Sequence, residues 1–164
     1  MKMLAKLLPL AFLALASHAS AVAVGDPAPP LSLPDAKGAT VSLAALKGKV
    51  VYVDFWASWC APCRRSFPWM GEMQQKYGPK GFVVLAVNVD KKRSDADRFL
   101  AVTPGAFTIV FDPTGATPTA WDVKGMPTSF VVDRQGRVVS IDAGFRDDMK
   151  PALEAKLQAV LDKP

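Results

Sequence analysis

The chain has 164 residues, half of them hydrophobic and 21% charged, with 20 lysines and arginines against 15 aspartates and glutamates. That composition suits one soluble domain large enough to bury its own core, and neither an internal repeat nor a low-complexity stretch argues otherwise. The basic excess is modest; Lys91-Lys92-Arg93 and Arg64-Arg65 read as solvated surface, so nucleic acid is not an expected partner.

At the start, Lys2 and Lys6 flank an apolar run over residues 7–16, followed by Ser17-His18-Ala19-Ser20-Ala21. A charged start, a short apolar middle and an A-x-A end predict a secretory signal peptide over residues 1–21, cut after Ala21. The run is shorter than the roughly 20 residues a bilayer requires. Stable membrane insertion is therefore not expected after cleavage, and the mature domain spans residues 22–164. Cleavage leaves 18 basic residues against 15 acidic ones and removes His18, the only histidine. A chain without imidazole has no Ser-His or Cys-His nucleophile pair and no histidine metal site. Export, periplasmic for a bacterial signal of this kind, places the protein where disulfides persist.

Residues 22–30, with three prolines, read as an irregular extended entry. Residues 31–33 and 40–42 alternate as short strands around a turn at 34–38, a hairpin. The β-branched run 49–55 reads as a fully buried strand. Residues 60–77 read as a helix bent at Pro68, ended by 78–81, and 82–89 as a second buried strand. A short helix is expected over 94–102, capped by Ser94 or Asp95, then a strand over 107–111, a turn at 112–115 and a helical turn at 117–121. Residues 128–133 and 137–142 form an antiparallel hairpin around Arg134-Gln135-Gly136. A last helix places Leu153, Leu157, Val160 and Leu161 on one face and is expected to be capped near Asp147 or Asp148. The alternation describes a mixed sheet covered on both faces.

The only two cysteines stand three residues apart in Asp54-Phe55-Trp56-Ala57-Ser58-Trp59-Cys60-Ala61-Pro62-Cys63. A zinc clip needs four ligands, and the mature chain offers two sulfurs and no imidazole. A bridge closing so short a loop removes little chain entropy and is a weak staple. Its position is more telling, because a helix begins there directly after a buried strand. The helix dipole and free N–H groups favour a thiolate at the first cysteine, and such motifs lower a thiol pKa from about 8.5 to roughly 3.5–7.5. Cys60 is thus expected as an exposed nucleophile and Cys63, one turn further in, as the shielded resolving thiol. The pair reads as a redox reagent that needs no cofactor and no metal. Asp54 interrupts the apolar strand; either it is buried, with its pKa raised, or it reaches water at the strand end.

Residues 53–64 resemble the active-site segment of thioredoxin. The signal, the N-terminal hairpin and the segment 93–121 resemble more closely the TlpA/ResA branch of that superfamily, extracytoplasmic thiol–disulfide oxidoreductases, over residues 25–162. Pro68, and Gly125-Met126-Pro127-Thr128 directly before a strand, match the family's helix bend and its cis-proline loop. The resemblance implies an α/β thioredoxin fold: a central mixed β-sheet flanked by helices, with an N-terminal β-hairpin and a central insertion. It implies that Met126–Pro127 is cis beside the disulfide, where the residues alone favour a trans turn proline. It further implies that Trp59, Ala61, Pro62, Met126 and Pro127 bind substrate, the Met126 backbone pairing with an extended strand, and that Asp54 exchanges a proton with Cys63. Two departures stand out. Ala86 occupies the place of a thioredoxin lysine near this carboxylate, and Arg64-Arg65-Ser66-Phe67 lacks the acidic residue that TlpA-like proteins often carry there. Trp56 is expected in the core and Trp59 at the rim.

The resulting expectation is an exported protein-disulfide reductase in which Cys60 attacks and Cys63, helped by Asp54, resolves. Its partners are protein thiols and disulfides and, by family resemblance, a membrane-embedded electron donor. By analogy, candidate substrates are apocytochrome c, copper-site assembly proteins and mis-oxidised secreted proteins. Ala61-Pro62 lacks the histidine typical of strongly oxidising relatives, which favours reduction; a thiol oxidase or isomerase is the alternative. A peroxidase of this fold would follow P-x-x-x-[ST]-x-x-C; counted back from Cys60, Val53 stands where that proline belongs and Ala57 where the serine or threonine belongs, so the pattern fails. A non-catalytic binding domain with a vestigial pair is the remaining alternative.

Overall fold

The computed structural model describes residues 21–163. The expected signal segment, apart from Ala21, lies outside the described residues. At the centre is β3 (Val50–Trp56), buried along its whole length, as its run of branched and aromatic side chains requires. It pairs in parallel with β4 (Phe82–Asn88) and antiparallel with β6 (Thr128–Val132). The strand β5 (Thr108–Phe111) adds in parallel outside β4, and β7 (Val138–Ala143) adds antiparallel outside β6. The sheet order is β5-β4-β3-β6-β7, the mixed sheet expected. A separate hairpin, β1 (Ser32–Pro34) with β2 (Thr40–Ser42), reaches the β5 edge through an Asp35–Val110 bridge.

Alternation along β3 sorts two cores. Val50, Tyr52 and Trp56 face a cluster shared with α1 (Ala61–Tyr77), α2 (Arg93–Val102) and α4 (Lys150–Leu161). Val51, Val53 and Phe55 face the opposite cluster, closed by Leu31, the hairpin and Trp121, which follows the short α3 (Ala116–Ala120). The central insertion therefore serves both faces, since α2 packs on the first and Trp121 on the second. Helix α1 continues through Pro68, whose ring is exposed on the outer side.

Two expected caps are corrected. Helix α2 starts one residue early, with Lys92 at its N-cap and no side-chain cap; Ser94 and Asp95 lie inside the first turn, where Asp95 pairs with Arg98. A carboxylate in the first turn still favours the helix dipole without capping. Helix α4 follows a 3-10 turn at Asp147–Met149 and has Met149 at its N-cap. Asp147 instead binds Lys150 at 2.7 Å, and Pro151, with no N–H, removes one donor a cap would serve. Leu153, Leu157 and Leu161 are buried as the helical spacing requires, with Val160 partly so.

Phe67 of α1 joins helix to sheet beneath the active end. Its ring lies 4.8 Å from Trp56, 5.0 Å from Phe99 and 5.2 Å from Phe107, all in edge-to-face geometry. Phe67→Ala is expected to cost about 3–5 kcal/mol, read as a lower urea midpoint with the far-ultraviolet spectrum retained below the transition.

Candidate active site

Four residues separate the end of β3 from the start of α1. Within them the Cys60 N–H donates to the Ala57 carbonyl at 3.1 Å, closing a tight turn that makes Cys60 the helix N-cap. Pro62 brings no N–H to the first turn, so the Cys63 N–H carries the capping bond, donating to Cys60 Sγ at 3.2 Å. The two sulfurs are joined, with Cα atoms 5.3 Å apart. A backbone donor aimed at Cys60 Sγ from a helix start is the arrangement that stabilises a thiolate once the bond opens.

The expected exposure of Cys60 is corrected: it is only 3% exposed, against 0% for Cys63. The tight turn folds Cys60 onto the helix start, and its sulfur is drawn inward by the bond to Cys63. Its neighbours take the surface instead. Trp59 is exposed, Ala61 is exposed and Pro62 half-buried, whereas Trp56 is fully buried.

Asp54 is 1% exposed, so the water-reaching alternative is overturned. By strand parity it points with Tyr52 and Trp56 into the cluster that holds both cysteines, between Ala86 of β4 and Ser129 of β6. Its Oδ2 has no hydrogen-bond partner among the described residues, and burial pushes its carboxyl well above the ordinary carboxylate range. The neighbouring Tyr52 hydroxyl donates to Ser129 Oγ at 2.8 Å; burial first, then the Asp54 charge, raises its phenol well above its ordinary value. Ala86 sits directly opposite Asp54, so the lysine position of thioredoxin offers no cation here.

The Met126–Pro127 peptide is cis, as the resemblance implied. Pro127 is buried, and Met126 packs against the cysteine-bearing cluster as well as the opposite one. An anchor went unnoticed in the sequence. Asp90, just past β4, accepts the Ser58 N–H and hydroxyl, each at 2.9 Å, and the Asn88 side-chain amide at 2.8 Å. The Asn88-x-Asp90 pair at a strand end was the available signal, since such residues favour local backbone bonding over continued ladder; which loop it holds was not readable.

The Redoxin family model matches residues 23–157. The chain belongs to the Redoxin family. Curated relatives include the thiol-disulfide oxidoreductase ResA of Geobacillus thermodenitrificans, 36% identical over 138 residues that cover 83% of this chain and 79% of the relative. The ResA of Bacillus subtilis is 32% identical, covering 75% and 69% of the two chains. Among solved structures, a candidate thiol:disulfide interchange protein DsbE from Chlorobium tepidum is 54% identical, with a TM-score of 0.84 over 86% of this chain and 99% of that one. The thioredoxin domain of a Bacteroides vulgatus thiol-disulfide oxidoreductase is 28% identical, with a TM-score of 0.74 over 82% and 98%. The thioredoxin resemblance read from residues 53–64 and the ResA-like resemblance read from the N-terminal hairpin and the segment 93–121 both hold for this Redoxin member. Among its described residues no three of His, Cys, Asp and Glu converge as a metal site requires, and no helix is long and apolar enough to cross a membrane.

The raised Asp54 pKa sets a sign for stability. The unfolded chain releases this proton near pH 4, while the folded chain retains it to a higher pH. Stability therefore falls as pH rises above about 4, and stops falling once the folded carboxyl also ionises. Asp54→Asn removes this component, so its urea midpoint is expected to gain on the parent protein between pH 4 and pH 8. A difference that stays constant with pH would mean that Asp54 titrates like a surface carboxylate.

Proposed function

We infer that this thiol–disulfide oxidoreductase acts outside the cytoplasm as a reductase of protein disulfides, through a single domain over residues 22–164. The observation that carries the reading is the Cys60–Cys63 pair at a helix start, with the Cys63 N–H on Cys60 Sγ and a buried, unpartnered Asp54 on the same side of the sheet. In the reduced enzyme the Cys60 thiolate attacks one sulfur of a substrate disulfide. A mixed disulfide forms, and the other substrate sulfur leaves as a thiolate and takes a proton from solvent. Asp54, once ionised, then accepts the Cys63 proton; the Cys63 thiolate attacks Cys60 Sγ and expels the second substrate sulfur as a thiolate, which takes a proton from solvent while Asp54 gives its own back to solvent. Two protein thiols become one disulfide as one substrate disulfide becomes two thiols. The Met126 backbone, with Pro127, Trp59, Ala61 and Pro62, is assigned to holding an extended substrate segment.

Reduction is favoured over oxidation by Ala61-Pro62 between the cysteines, without the histidine of strongly oxidising relatives. The organic chemistry needs no bound cofactor, and a membrane-embedded donor returns the electrons. The expected signal places the cycle in an extracytoplasmic space; amino-terminal sequencing of the secreted protein is expected to begin at Val22. The decisive test is trapping. Cys63→Ser is expected to accumulate mixed disulfides through Cys60 in the producing cell, and Cys60→Ser to abolish reduction of insulin disulfides by the pre-reduced protein. A Cys63→Ser protein that captures nothing, together with a pre-reduced parent that leaves insulin intact, would remove this reading in favour of a binding domain. Faster transfer of a disulfide to reduced substrates than of electrons to oxidised ones would reverse the direction.

A further inference from the structure

Three large hydrophobic side chains stand exposed among the described residues: Val24, Trp59 and Val102. Trp59 and Val102, each 71% exposed although far apart in the chain, line one open groove of about 410 Å³. In the chain, Ser58 and Trp59 on one wall of this groove directly precede Cys60, and Arg64 directly follows Cys63. Leaving an indole and an isopropyl group in water together is unfavourable, and an apolar patch with a charged rim marks a surface that is covered in use. The floor is firm, because Phe99 packs 4.8 Å from Trp56 and 5.0 Å from Phe67.

The rim has a defined charge. Arg64, Arg98 and Asp95 line the groove, and Asp95 pairs with Arg98. Arg64 has no ion-pair partner among the described residues, and its guanidinium lies 5.2 Å from the centroid of the Phe99 ring. A cation–π contact with that ring favours the guanidinium at the groove wall, where the exposed side chain stays available to a carboxylate. We propose that the groove docks the polypeptide segment flanking the target disulfide and selects segments with an acidic side chain near the target cysteine. Arg64 receives the carboxylate; Trp59 and Val102 receive an apolar neighbour. A lysine at the same place meets Arg64 with like charge, the Arg98 charge being offset by Asp95. This assignment rests on the reductase reading and adds the substrate class to it.

The test uses the pre-reduced protein in single turnover against two synthetic peptides, each closed by one disulfide. They differ only in an aspartate or a lysine two residues from one cysteine, with a leucine beyond. The acidic peptide is expected to react about threefold faster in second-order rate constant at low salt, the scale of an exposed ion pair. The ratio should shrink toward one in about 0.5 M salt, and Arg64→Glu should invert the order. Equal rates for both peptides at all salt concentrations would overturn the docking assignment while the reductase reading stood. Reduction of neither peptide would overturn both. The salt dependence of the parent protein decides the matter even if Arg64→Glu fails to fold. A dimer in sedimentation that shields Trp59 from a soluble quencher would also overturn the proposal, giving the groove to a second copy of the chain.

Discussion

The active end depends on how β3 hands the chain to α1. A strand buried on both faces must become a helix within four residues, and the connecting backbone donors need acceptors there. Asp90 supplies them from the end of a different strand, holding Ser58 by its N–H and its hydroxyl while Asn88 steadies the carboxylate. With Ser58 held, residues 57–60 close into one turn, Cys60 falls at the N-cap, and the Cys63 N–H meets its sulfur. The environment that favours a thiolate is thus a consequence of parallel pairing between β3 and β4, which brings Trp56 level with Asn88.

Two carboxylates are buried within this region, and their surroundings are opposite. Asp90 receives three donors, which is how a buried polar group is normally satisfied. Asp54 has Ala86 and Ser129 as cross-strand neighbours and an Oδ2 with no partner, so burial acts on it uncompensated. An unsatisfied carboxyl inside a sheet costs stability, and the fold bears that cost on the sheet face that also holds both cysteines, where the proposed mechanism gives Asp54 the Cys63 proton. The absence of a lysine across from Asp54 removes the simplest means of lowering its pKa, so proton affinity there is governed by burial.

Much of the architecture was legible because its signals are local. The nearly unbroken apolar run 49–55 marks a strand covered on both faces, and Leu153, Leu157 and Leu161 mark the buried side of α4 at helical spacing. Helix starts were less legible: Ser94, Asp95, Asp147 and Asp148 are all chemically able to cap, and none does. Their carboxylates found other partners, Arg98 for Asp95 and Lys150 for Asp147, and competition among such partners of similar strength is resolved only by the placed chain. Cys60 illustrates the same limit, since its burial follows from the turn at Ala57 and not from its own side chain.

The sequence by itself determined the chemistry: two cysteines three apart after a buried strand, no histidine in the expected mature chain, and a carboxyl inside an apolar run. Composition and spacing suffice for such conclusions, because they concern which groups exist and how far apart the backbone can hold them. Tertiary structure alone decided the rest. It set Ser129 opposite Asp54, brought Asp90 to Ser58 across 32 residues, and placed Val102 on the same groove as Trp59. Those juxtapositions arise from strand register and helix packing, which integrate the whole core, and no local stretch of sequence contains them.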